Sequence, residues 1–175
     1  MVISLIICSF IILFIYIYQV SNYTLANYKN RKSLDLIKST KTVAVVIPFR
    51  NESENIKSLT QSLFSQQYPV DLLEFIFIDD HSDDQSLSLL TTYCKACDFS
   101  YKIEALKTES GKKAALKKGV EASSSSYIIT CDADCIMDKK WVATMVSYLE
   151  YNKSMIIGPV QFKSGRNLLS MDSLA

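Results

Sequence analysis

The sequence predicts an α/β fold, a mostly parallel sheet flanked by helices and preceded by one N-terminal transmembrane helix. Three observations predict it. Apolar runs of strand length alternate with stretches of helical period from residue 43 onward, the pattern of βαβ units. Two of those runs, 43–47 and 74–78, are almost unbroken by polar residues, as parallel strands covered on both faces are. The first 20 residues carry no charge, and 2–18 is almost wholly apolar, close to the roughly 20 residues that span a bilayer.

The elements follow in order. Residues 1–20 are expected to form the membrane anchor, with Tyr16, Tyr18 and Tyr23 at the interface. A cleaved signal peptide is the rival reading, but no Lys or Arg precedes the apolar run and 19–23 fits a cleavage site poorly. Lys29, Arg31 and Lys32 follow the run, which places the C-terminal side in the cytoplasm by the positive-inside rule. Residues 21–41 read as a juxtamembrane linker or an amphipathic helix through Leu34 and Ile37, and 42–175 as one domain.

Within that domain, strand 43–47 stops at Pro48 and leads through Phe49-Arg50-Asn51-Glu52 into a helix bearing Ile56, Leu59, Leu63 and Gln66, with Asn51 or Ser53 as its cap. Tyr68-Pro69 ends it. Strand 74–78 ends in Asp79-Asp80, and the turn 81–84 caps a helix whose face is Leu87, Leu90, Thr91, Cys94 and Cys97. A weaker strand is expected at 101–106. A helix at 112–122 should turn Ala114, Ala115, Leu116 and Val120 inward. The β-branched run from Tyr127 ends in Asp132-Ala133-Asp134, and Asp138 caps a helix through Trp141, Val142, Met145, Val146 and Leu149. A strand at 154–162 and a last helix from Gly165 and Arg166 complete the order.

Composition narrows the function classes. With 19 Lys and Arg against 18 Asp and Glu, the net charge of +1 carries no nucleic-acid footprint. Five cysteines, an odd number in a cytosol-facing domain, read as reduced thiols. Cys94 and Cys97 have C-x-x-C spacing but neither a second pair nor a nearby histidine, so neither zinc nor a disulfide is expected. The chemistry collects where strands end: Pro48 to Glu52, Asp79-Asp80, and Asp132-Ala133-Asp134. In a parallel sheet those ends share one rim, the ligand side of open α/β folds. Acids gathered on one rim repel unless a cation compensates them, and oxygen ligands suit Mg²⁺ or Mn²⁺. The competing reading of each cluster is a turn or a helix cap. Lys112 and Lys113 open a helix after Gly111, a place suited to phosphate. The plainer reading for Lys113, Lys117 and Lys118 is a solvated helix face.

Four motifs in order make the chain resemble the family-2 glycosyltransferases. Residues 43–52 are similar to their opening strand and P-x-[YF]-x-E signature, and 77–84 to their V-D-D-x-S-x-D turn. Residues 111–119 resemble their G-K-x-x-A-L-N-x-G helix, and 127–134 the strand leading to their metal-binding D-x-D. The resemblance covers about 43–162. It implies a GT-A, Rossmann-like domain binding a nucleotide-diphosphate-sugar, and transfer to an acceptor hydroxyl with inversion. It implies that Pro48, Phe49, Asn51 and Glu52 line the nucleoside pocket, that Asp80, less surely Asp79, contacts base or ribose, and that Lys112 lies near the nucleotide. Asp132 would attend the donor, and Asp134, with Asp132, would hold the metal. Arg50 before Asn51 and His81 in place of the commoner Gly depart from the pattern, and His81 reads as a turn residue. The family's general base lies beyond the strand around Gly158, and Asp172 is not assigned that role. The 42–175 domain therefore reads as truncated at its C-terminus. The expected partners are the donor, an unidentified glycan or lipid-linked acceptor, and a membrane, the bacterial inner one. A non-catalytic nucleotide-sugar-binding module is the alternative. A haloacid-dehalogenase-type phosphotransferase fits less well, because its D-x-D belongs to an early strand.

Overall fold

The computed structural model describes residues 2–29, 40–152 and 155–160. The chain divides into two compact units, Met1–Asp35 and Leu36–Ala175. The first contributes α1 (Val2–Lys29), 28 residues long. Its large apolar side chains between Phe10 and Tyr18 are exposed. Among the described residues no helix is long and apolar enough to cross a membrane, so the span expected at 1–20 does not emerge there. Residues 21–29, expected as a juxtamembrane linker or an amphipathic helix, continue the helix. Leu34 and Ile37 lie outside the described residues.

The second unit is built on a parallel sheet of order β3-β2-β1-β4, from β1 (Val43–Phe49), β2 (Leu73–Asp79), β3 (Ser100–Ala105) and β4 (Tyr127–Thr130). All seven residues of β1 are buried. Period-2 alternation sends Val43, Val45, Ile47 and Phe49 to one face, with Phe75 and Phe77 of β2. There they meet α2 (Ile56–Phe64), α3 (Ser86–Cys94) and α5 (Trp141–Asn152) through Leu59, Leu63, Leu90, Val142 and Val146. Each of those large side chains contributes about 1.5–3 kcal/mol by leaving water. Ala44, Val46, Ile76 and Ile78 face the other way, onto Ala115 of α4 (Lys112–Glu121). The chain steps from β1 to β2 to β3 in one direction, then returns across β1 to place β4. Right-handed crossovers put the helix of the reversed step on the opposite face, where α4 lies.

Pro48 continues β1 instead of ending it. Val46 and Phe49 show why that is tolerated. Val46 accepts from Cys131 on the β4 side, Phe49 from Asp80 on the β2 side. Alternation therefore aims the amide position of Pro48 toward β4, which has ended opposite Val46. The missing N–H breaks no ladder bond.

Several boundaries differ from the sequence reading. The cap residue of α2 is Asn55, not Asn51 or Ser53, whose amides are taken by another loop. Gln66 lies past α2, buried, and bridges to α5: its Oε1 accepts the Val142 N–H at 3.0 Å and its Nε2 donates to the Asp138 carbonyl at 2.8 Å. The Asp138 side chain accepts the Lys140 amide in the turn before α5. On α3, Leu87 and Thr91 point to solvent, and Ser86, Leu90 and Cys94 point inward. The helix ends at Cys94, so Cys97 sits in the following turn and shares no helical face with it. Burial pushes the Cys94 thiol up to about 12. Strand β3 starts one residue early, with most of its residues exposed as an edge. Residues 155–160 form no strand. The rest of the expected 154–162 strand, the helix from Gly165, and Asp172 lie outside the described residues.

Val120, expected inward, is 45% exposed, and Gly119 takes the inward place on α4. A Cβ at Gly119 would stand 2.3 Å from Val46 Cγ1, a rigid branched side chain in the closed core. Gly119→Ala is expected to lower unfolding stability by about 1–3 kcal/mol, although Ala favours helix. Urea denaturation of the two proteins checks it, and equal midpoints would refute the close approach of α4 to β1.

Candidate functional site

The C-terminal ends of β1, β2 and β4 open into a cleft of about 230 Å³. Three loops and one helix start supply its walls. The β1 exit brings Pro48, Phe49, Arg50 and Glu52, and β2 brings Asp80. The β4 exit brings Asp132, Ala133 and Asp134, and the first residue of α4 is Lys112. The cleft lies where the strand order reverses, between β1 and β4, the place where open α/β sheets bind ligands.

Two loops are stapled together to make the β1 wall. Three successive amides are donated to the loop after β2: Asn51 to Ser82 Oγ at 3.0 Å, Glu52 to Ser86 Oγ at 2.7 Å, and Ser53 to Asp84 Oδ2 at 3.1 Å. Asn51 Oδ1 accepts the Asp83 amide in return. This double exchange holds Asn51 at φ 55° and lets His81 turn the chain at φ 60°, left-handed conformations that Asn and His adopt more readily than bulkier residues. Asp79 serves the same turn, its Oδ1 accepting the Ser82 amide. Asn51 and Asp79, expected in the nucleoside pocket, are thus spent on loop structure and do not line the cleft. Their signal in the sequence was shared with the neighbours that do.

Asp80 is only 6% exposed, and both its oxygens are engaged. Oδ2 accepts the Gly111 amide at 2.8 Å, and Oδ1 meets His81 Nδ1 at 3.1 Å. The Gly111 amide does most to hold this carboxyl below the usual range. His81 and the nearby Arg50 charge assist, against the upward push of burial. Gly111 reaches Asp80 at φ 96°, a backbone that L side chains rarely adopt.

Across the cleft, Lys112 Nζ forks onto Asp132, 2.6 Å from Oδ1 and 2.8 Å from Oδ2. Both side chains are more than half exposed. The bond to Asp132 raises the Lys112 pKa, and the charge of Asp134 adds to it. Arg50, which sequence reasoning treated only as a departure, lines the same cleft. The walls therefore carry four acids, Glu52, Asp80, Asp132 and Asp134, and two cations, Arg50 and Lys112.

Asp132 and Asp134 flank the buried Ala133 on one short loop. Among the described residues no three His, Cys, Asp or Glu side chains cluster closely enough to enclose a metal. The two carboxylates fit a partial set of hard oxygen donors for Mg²⁺ or Mn²⁺, to be completed by ligand and water oxygens. Burial pushes the thiols of the adjacent Cys131 and Cys135 up.

The family model described as Glycosyl transferase family 2 matches residues 44–173. The chain belongs to that family. Among curated relatives, Glycosyltransferase AglE of Haloferax volcanii is 29% identical over 116 residues, covering 66% of this chain and 38% of its own length. Poly-beta-1,6-N-acetyl-D-glucosamine synthase of Staphylococcus epidermidis is 29% identical over 118 residues, 67% of this chain and 27% of the synthase. This family-2 chain thus spans well under half the length of those relatives. Among solved structures, the mannosyltransferase PcManGT from Pyrobaculum calidifontis, in complex with GDP-Man and Mn²⁺, superposes with a TM-score of 0.63 at 23% identity, over 74% of this chain and 39% of that one. S. aureus TarS 1-349 in complex with UDP-GlcNAc gives 0.55 at 22%, over 63% and 31%. At such identities the likeness is one of fold, and it agrees with the parallel GT-A-like sheet.

Asp84 supports the staple from the second loop, and its carboxyl is held down to about 2 by hydrogen bonds from Ser86 and Ser53. A carboxyl lowered in the folded state adds stability that is complete above its unfolded pKa near 4 and is lost as pH falls toward 2. Asp84→Asn is therefore expected to be less stable than the parent at pH 7, with the difference closing between pH 4 and 2. Thermal unfolding followed across that range checks it, and a gap independent of pH would refute the assignment.

Proposed function

We propose that the second unit binds a nucleotide-diphosphate-sugar and serves as the donor half of an inverting, metal-dependent glycosyltransferase. The observation that carries the reading is the cleft at the β1–β4 reversal, where Asp132 and Asp134 from the loop after β4 and Lys112 from the start of α4 converge opposite Asp80. A diphosphate needs cationic partners and a sugar–nucleoside ligand needs acceptors for its hydroxyls, and this cleft offers both at once. That neighbours of the same fold were solved with GDP-Man and Mn²⁺ and with UDP-GlcNAc supports the same ligand class.

In this reading each side chain has a task. Asp80, ionised and fixed by Gly111 and His81, accepts from the base or ribose. Pro48 and Phe49 give the nucleoside an apolar wall, and Glu52 closes it. Lys112 stands near the phosphates. Asp132 attends the donor sugar side and, with Asp134, holds Mg²⁺ or Mn²⁺. A divalent ion there would neutralise charge as it develops on the leaving diphosphate. Inversion requires the acceptor hydroxyl to attack the anomeric carbon from the face opposite that leaving group, with a base to take its proton. That base is assigned to chain outside the described residues, and the acceptor is a glycan or lipid-linked hydroxyl.

We assign the protein to a membrane, the bacterial inner one, with the donor cleft on the cytoplasmic face. The support is in the sequence: residues 2–18 are almost wholly apolar, no charge precedes Lys29, and Lys29, Arg31 and Lys32 follow.

Calorimetry with Mn²⁺ and a nucleotide-sugar tests the donor reading. Asp134→Ala should remove the metal-dependent part of the affinity, and Asp80→Asn should weaken nucleotide binding about tenfold with or without metal. Metal-dependent affinity that survives Asp134→Ala would sink the metal assignment.

A further inference from the structure

Lys112 is poised against the oxygens that the proposed metal needs. Its ammonium lies 2.6 and 2.8 Å from the two Asp132 oxygens, and both partners are exposed to the cleft. Glu52, Asp80 and Asp134 are the other charged groups of opposite sign around it, and Arg50 is the other cation. Of these acids, Asp80 has both oxygens bonded elsewhere and Glu52 accepts from Asn55 Nδ2 at 2.6 Å. Among the described residues, Asp134 receives only the Cys135 S–H at 3.6 Å, a weak donor. Astride both Asp132 oxygens, the ammonium stands where a divalent ion would bind, and like charges that close repel, so the two compete for this carboxylate.

We propose that Lys112 is an exchangeable counterion: it neutralises Asp132 in the empty cleft, is displaced when a divalent cation arrives, and then binds the diphosphate of the donor. The inference rests on the donor reading above and adds an order of events to it. Lys112 opens α4, so its Cα stays fixed while the long, half-solvated side chain swings. The exchange links the two ligands. The cation releases the ammonium the diphosphate uses, and the diphosphate holds away the ammonium that competes with the cation. Each ligand therefore raises the affinity for the other, as linkage requires. The acids of the cleft are also kept partly neutralised before any cation is present, which limits their mutual repulsion.

Removing the ammonium gives effects of opposite sign on the two ligands, which a merely structural lysine would not. Lys112→Met in the full chain, followed by Mn²⁺ titration without nucleotide and read by electron paramagnetic resonance, should show two- to five-fold tighter metal binding. With saturating Mn²⁺, calorimetric affinity for a nucleoside diphosphate, UDP and GDP each being tried, should fall about tenfold or more. Asp132→Asn frees the same ammonium from the other side and should leave metal-free nucleoside diphosphate affinity equal to or above that of the parent. Metal binding that weakens or stays unchanged in Lys112→Met overturns the exchange, and so does unchanged nucleoside diphosphate affinity. If the parent chain with Mn²⁺ binds neither nucleotide, the donor reading fails instead, and the Mn²⁺ titration alone still decides whether Lys112 competes for Asp132.

Discussion

Strand β1 is closed in on every side, by β2 and β4 along its edges and by helices over both faces, and nothing in it but hydrocarbon and backbone could survive there. Its burial imposes the rest of the unit. Strands parallel to it must return by helical crossovers of one hand, so every strand delivers its C-terminal end to the same rim. Once the chain has placed β2 and β3 on one side and turns back to place β4 on the other, the loops after β1 and β4 diverge. The gap between them is the cleft. Polar residues gather at that rim because the strands end there and loop amides, or water, can satisfy a carboxylate.

Hydrogen bonds tie the loops of the rim to one another. The loop after β1 has given three consecutive amides to the loop after β2, and Asp80 has taken the amide of Gly111. Neutral bonds of this kind contribute about 1 kcal/mol each, more where an acceptor is charged. Together they place four acids and two cations around a small volume, and loops fixed in this way cost less to order on binding. Asn51 and His81 pay for this in left-handed backbone, strain of the sort that collects at binding sites.

Charge balance gives the cleft its character. Glu52, Asp80, Asp132 and Asp134 outnumber Arg50 and Lys112 by two, so the empty cleft favours cations, while a diphosphate alone would meet repulsion. A divalent ion, as proposed for this cleft, would reverse that preference. Lys112 sits at the point of reversal, bound to the acid that a metal would claim. An exposed ion pair of this kind contributes little to folding, which leaves it free to be broken by a ligand at small cost to the fold.

Much of this was legible in the residue order. The apolar runs at 43–47 and 74–78 are long enough and uninterrupted enough to demand cover on both faces, which already implies a parallel sheet with helices between. The acids at the strand ends, and the four motifs in family order, pointed to Asp80, Lys112, Asp132 and Asp134, all of which line the cleft. What the order of residues left open concerns partners distant in sequence. Nothing local separates Asp79 from Asp80. The pleat alone sends one into the Ser82 turn and the other to the cleft. Val120 is the more apolar residue, yet Gly119 is inward, because only a residue without a Cβ fits against Val46. Gln66 looks like the tail of a helix, and its caps on α5 exist only once residues 72 and 76 positions away are brought beside it. The ion pair of Lys112 with Asp132 joins a helix start to a strand end 20 residues later. Composition and period determine which segments become strands and helices, since burial acts on each segment's own pattern. Which side chains meet at the rim was decided by the tertiary fold, since register and crossover direction bring those loops together.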